Sequence, residues 1–267
     1  SISNKTGSLV DRKPGEASKT AKHAATILVS AGFGTFVLSM VGGYVDTAGF
    51  ILLYGLFTAH VTGDLITAAA VMINGLDFTA IARLSMIPIF MITVGLITLF
   101  TRAINRRGAA TLPPLLFLMT ILLFLFGYVG DLLNHNIKSA NSWLIIVVGG
   151  LGVAAMGVQN SLMKGALKSF AQTTLMTGNL TQFTIDLTDY LFPGIPKKNQ
   201  KARIRAKQEA AGQLKKSGRP LLGFMFGAGI GAWMTKLYAF RCILGPLTVV
   251  FLLWVIAAWR SRKFKGQ

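Results

Sequence analysis

Long apolar runs alternate with short polar connections along the chain. Uncharged or nearly uncharged runs fall at about 26–58, 86–101, 114–133, 142–163, 220–235 and 242–259. Each approaches the roughly 20 residues that a helix needs to cross a hydrocarbon core. In lipid a backbone must satisfy its own hydrogen bonds, so these runs predict helices rather than strands. Two shorter apolar pieces, at about 64–75 and 179–192, are too short to span comfortably; the second carries Asp186 and Asp189. The pattern predicts an all-α, polytopic membrane protein. It has about six transmembrane helices plus two short or re-entrant ones.

The pattern also repeats. Gly43-Tyr-Val-Asp46 aligns with Gly157-Val-Gln-Asn160, and Thr62-Gly63-Asp64-Leu65 with Thr177-Gly178-Asn179-Leu180. In both halves a long apolar run comes first, then the Thr-Gly motif, a short helix and two further runs. The expected organisation is a basic N-terminal tail (1–25), a first membrane repeat (26–140), a second (141–260) and a basic C-terminal tail (261–267). A basic loop at 193–219, or in part a short helix lying on anionic lipid, interrupts the second repeat.

Composition agrees with this class. Apolar residues make up 52% of the 267 and charged residues 13%, against about 25% charged in a typical soluble domain. The single cysteine, Cys242, cannot form an internal bridge or a thiolate metal site. The net charge of +18 would suit nucleic acid, yet the cations sit at the ends and between apolar runs, with no aromatic-interleaved basic platform. That placement follows the positive-inside bias and predicts contact with anionic headgroups instead. A six-span arrangement gathers more of the 27 Lys and Arg on one side than an eight-span one. With three crossings per half, the repeats are then inverted and both termini cytoplasmic.

Asp46 is the sharpest chemical signal, a carboxylate in a stretch otherwise uncharged from Lys22 to His60. Such a group faces a cavity, pairs or titrates. It reads either as a proton- or cation-coupling carboxylate or as a hydrogen-bonded tie between repeats. Gln159 and Asn160 hold the corresponding place in the second half and would complete a polar site or cement helix packing. Thr62-Gly63-Asp64 and Thr177-Gly178-Asn179 each precede an apolar helical piece. Thr suits an N-cap, Gly a tight turn, and the exposed N–H groups of a half-helix an anionic solute. His60 reads as an interfacial imidazole or as a pH-sensitive partner of Asp64, four residues on. Gly223, Gly227 and Gly231 predict close helix packing. No His/Cys cluster, nucleophile elbow or phosphate loop is present, which argues against an enzyme, a metal site or a cofactor.

Gly42-Gly43-Tyr-Val-Asp46, followed by Leu56-Phe-Thr-Ala-His-Val-Thr-Gly-Asp64, resembles the YoaK family of bacterial inner-membrane proteins. Asp64 stands where that family's pattern carries Asn. The resemblance implies a bacterial inner-membrane location and the multi-helix fold, and no activity. The residues themselves suggest a secondary transporter or permease for an unidentified small solute. Its polar site would lie around Asp46, Asn160 and the two Thr-Gly turns. The alternative is a non-transporting assembly or regulatory subunit that docks partners through its basic loop. Homo-oligomerisation is left open.

Overall fold

The computed structural model describes residues 31–75, 77–137, 142–167, 172–193 and 200–265. The basic tail at 1–25 and residues 194–199 of the basic loop lie outside them. Among the described residues the chain is helical, without strands. In order the helices are α1 (Ala31–Leu52), α2 (Val61–Val71), α3 (Phe78–Arg106), α4 (Leu112–Leu133), α5 (Leu144–Lys164), α6 (Met176–Leu191), α7 (Gln200–Tyr238) and α8 (Leu244–Lys265).

Five continuous helical stretches are long and apolar enough to cross a membrane, the last running from Gln200 to Arg262. That stretch of 63 residues contains a reversal at the 3-10 segment Ala239–Ile243, where Ala239 takes a positive φ of 46°. It therefore supplies two crossing legs. The chain is a multi-pass integral membrane protein.

Neighbouring side chains fix the direction of each helix. Gly223, Gly227 and Gly231 lie against the backbone of Phe36, Met40 and Tyr44, so α7 runs parallel to α1. Gln159 reaches Leu38 while Gly149 and Gly152 meet Leu53, Leu56 and Thr58, so α5 runs antiparallel to α1. Gly150 and Gly157 meet Ile89 and Thr93, which aligns α3 with α5. Phe240 packs on Gly130 near the end of α4, and Trp254 on Phe117 near its start, so α8 descends antiparallel to α4. The start of α3 and the ends of α1, α4 and α7 therefore share one face of the bundle. The short α2 joins α1 to α3 on that face. The short α6 joins α5 to α7 on the opposite face.

The core lies where α1, α4 and α5 meet, with Leu38, Val45, Met119, Leu123, Phe126, Val148, Val153 and Met156 buried. Helix α3 has the opposite character: Met91, Ile92, Leu96 and Leu99 project outward, as apolar side chains do when lipid is the solvent. Segment 200–219, expected as a loop or a short helix lying on lipid, is instead the first half of the 39-residue α7. Its Ala, Gln, Lys, Arg and Leu residues are strong helix formers, and it packs antiparallel on α6, Gly218 meeting Phe183.

Candidate functional site

Two polar clusters form where the chain folds back after α1 and after α5. In the first, α1 ends at Leu52 and turns through Tyr54 and Gly55, both at positive φ (55° and 82°). The connection then returns against its own helix. Asp46, buried on α1, receives it: Oδ1 accepts from the backbone N–H groups of Thr58 (2.8 Å) and Ala59 (2.6 Å). Its Oδ2 lies 2.6 Å from Nδ1 of His60. A buried carboxylate is costly unless hydrogen-bonded, and these contacts offset that cost. His60 lies outside the spanning helices, half-buried, with its ring edge-on to Phe57 and Phe224. The hydrogen bond to Asp46 raises its pKa above the ordinary histidine value, and burial opposes that rise. His60 thus pairs with Asp46, not with Asp64 four residues on, because α2 carries Asp64 onto a different face of the connection.

Asp64 reaches back instead, its Oδ1 accepting from the N–H of Phe57 at 3.0 Å. Arg83 of α3 sits 4.0 Å from the same oxygen. It donates to the carbonyls of Tyr54 and Gly55 and to Oγ1 of Thr67. Asp64 Oδ2 and Arg83 Nε are buried without partners. Asp46, His60, Asp64 and Arg83 therefore form one cluster of four ionisable groups beneath one face.

The second cluster repeats this wiring without charge. Asn160 of α5 accepts a short hydrogen bond from the Thr174 hydroxyl, and Nδ2 of Asn179 donates to the carbonyl of Gln172. The latter spans seven residues backward, as the Asp64 to Phe57 bond does, with donor and acceptor exchanged. Gln159 is fully buried and donates to the carbonyl of Leu38 (2.9 Å) and to Oγ1 of Thr173 (2.8 Å). Deeper on α6, Asp186 accepts from Gln182 (2.9 Å) and from Ser217 of α7 (2.8 Å).

Each cluster gathers residues that the sequence singled out, but the two are not joined. Asp46 is held by the 58–60 connection and Asn160 by Thr174, rather than each by the other. Thr62 and Thr177 are not caps. They fall inside the first turns of α2 and α6, both exposed. His60 and Leu175 occupy the N-cap positions, without a side-chain cap bond. Gly63 packs on the Phe57 ring, and Gly178 has open space beside it. Arg83, Thr58, Thr173 and Thr174 were not singled out in the sequence. One cavity of about 230 Å³ lies elsewhere, between α4 and α8, lined by Leu123, Phe124, Gly127, Phe240 and Leu247 among others. Among the described residues no three His, Cys, Asp or Glu side chains gather as metal ligands.

Both clusters fall within residues 34–256, which match the family model described as "Protein of unknown function (DUF1275)". The chain belongs to this family. Neither the curated proteins nor the solved structures contain a match. The DUF1275 match thus spans α1 to α8 and carries no activity with it.

Proposed function

We propose that this DUF1275 protein is a proton-coupled secondary transporter for a small solute. In this reading it lies in a bacterial inner membrane with both termini cytoplasmic, and its halves are an inverted duplication. The narrower kinship with the YoaK proteins rests on the Gly-Tyr-Val-Asp46 and Thr-Gly-Asp64 motifs. The observation that carries the proposal is the matched wiring of the two fold-back connections on opposite faces, ionisable in one half and neutral in the other. Inverted repeats that each contribute a fold-back, one from either side, resemble a transporter architecture. Charge buried at such a place is rarely retained without use.

The coupling element is the Asp46–His60 pair. The 2.6 Å contact between His60 Nδ1 and Asp46 Oδ2 holds residues 57–60 against α1 together with the backbone N–H bonds from Thr58 and Ala59. When a protonated His60 gives up its proton, the pair loses the attraction between opposite charges and keeps at most the hydrogen bond. Docking of the connection then depends on proton occupancy, which coupling requires. Both clusters are packed in this conformation, so transport involves release of the Thr58 and Thr173 segments.

The test is Asp46→Asn, which keeps size and most acceptor capacity while removing ionisation. Folded variant in proteoliposomes should lose solute accumulation driven by a pH gradient, while exchange without a gradient persists. Gradient-driven uptake equal to wild type, in a screen where wild type transports, would end the coupling reading.

A further inference from the structure

The first half of α7 carries a strongly charged surface that neither cluster uses. Arg219 lies against Gly32, Gly223 against Phe36, Gly227 against Met40 and Gly231 against Tyr44, a constant offset of 187 positions. The two helices therefore run in strict register, and α7 enters the bundle at Arg219, level with the start of α1. The spanning stretch of α1, Gly32–Leu52, is 21 residues long. At about 1.5 Å per residue that matches the roughly 30 Å hydrocarbon core. Residues 200–218 lie beyond it.

At about 100° per residue, Lys201, Arg205, Lys215, Lys216 and Arg219 fall within one sector about 100° wide. All five are exposed. The opposite side of the helix carries Ala210, which is buried, and Ser217, which is buried and donates to Asp186 of α6. Five of the arm's seven cations therefore form a stripe on its exposed side, with Arg203 and Lys207 off it, Lys207 over the Tyr190 ring of α6, and with Glu209, the sole acidic residue of the arm, at its edge.

The direction of the stripe selects its partner. Lys201 is 18 residues from Arg219, about 27 Å along the helix axis. A headgroup layer is only about 5–8 Å deep on each side, and screening at physiological salt acts over about 8 Å. Anionic lipid therefore reaches Arg219, Lys215 and Lys216 but not Lys201 and Arg205. An acidic polypeptide segment lying along the arm would meet all five. We propose that the arm, residues 200–219, is a docking surface for an acidic protein segment. The proposal does not depend on transport.

The experiment uses the full chain in nanodiscs of uncharged phosphatidylcholine, with a fluorescent glutamate homopolymer as probe. Wild type should bind the probe in a salt-sensitive manner. Lys201→Glu with Arg205→Glu should weaken binding about tenfold, as expected for loss and reversal of two exposed pairs, with Lys201→Gln and Arg205→Gln intermediate. Size-exclusion profiles check that the variants remain folded. Unchanged affinity in the distal double variant overturns the proposal. So does binding that requires anionic lipid in the disc, or tighter binding of an RNA oligonucleotide than of the acidic probe.

Discussion

His60 turns the chemistry of the first cluster into a measurable pH response. Its pKa is raised in the folded state by the hydrogen bond to Asp46, against the lowering effect of burial. A group with a raised folded pKa contributes stability that is fully present below its unfolded value, about 6.5 for histidine, and lost as pH rises through the higher folded value. Thermal unfolding of the detergent-solubilised protein should therefore shift downward as pH climbs above that unfolded value, and His60→Gln should flatten the profile. Superimposable profiles would show that the pair contributes nothing to holding the connection. Asp46, Asp64, Asn160 and Asn179 were legible in the sequence because polar groups are conspicuous in apolar surroundings. Arg83 was not, because one arginine near the start of an apolar helix looks like an ordinary topology cation. Its role depends on the carbonyls of Tyr54 and Gly55, which face it because those two residues take left-handed backbone angles.

Among the elements, the α1–α7 pair is the closest packing in the bundle. A Cβ at Gly223, Gly227 or Gly231 would overlap the backbone of α1, and backbone cannot yield as a flexible side chain does. Gly227→Leu should therefore lower folded yield and stability by about 1–3 kcal/mol or more. Gly229→Ala, two residues on with open space beside it, should be neutral or mildly stabilising, since Ala is the better helix former. A melting-temperature comparison checks both, and an equal loss at the two positions would contradict the packing account. The glycine spacing announced this contact, and hydropathy announced the spanning runs. A short helix at 200–219 is one reading of the sequence, but its continuity with the spanning part of α7 was hidden because its charges erase the hydropathy signal. The starts of α2 and α6 were misplaced for another reason. Thr resembles a cap by type, but Asp64 and Asn179 pull the preceding connection inward and move the first turn forward to Val61 and Met176.

At the scale of the whole molecule, the directions of the helices make a statement about the two sides of the membrane. The start of α1, the ends of α3, α5 and α8 and the entry of α7 share one face; Arg106, Lys164 and Arg219 lie there. Basic residues gathered on one side are the mark of the cytoplasmic face. In the proposed orientation, with that face cytoplasmic, the first Thr-Gly turn lies in the outer half and the second in the inner half. Thr62 and Thr177 are both exposed, so a cysteine at either position is open to reagent, whereas native Cys242 is buried and can be replaced by Ser. In right-side-out vesicles an impermeant maleimide should label Thr62→Cys and spare Thr177→Cys. Inside-out vesicles should reverse the pattern. Labelling of both from one side would mean that a short helix crosses completely, which 11 residues in α2, about 16 Å of helix, cannot do across a core of about 30 Å. That result would require the connection itself to span, and would remove the opposed fold-backs on which the transport proposal rests.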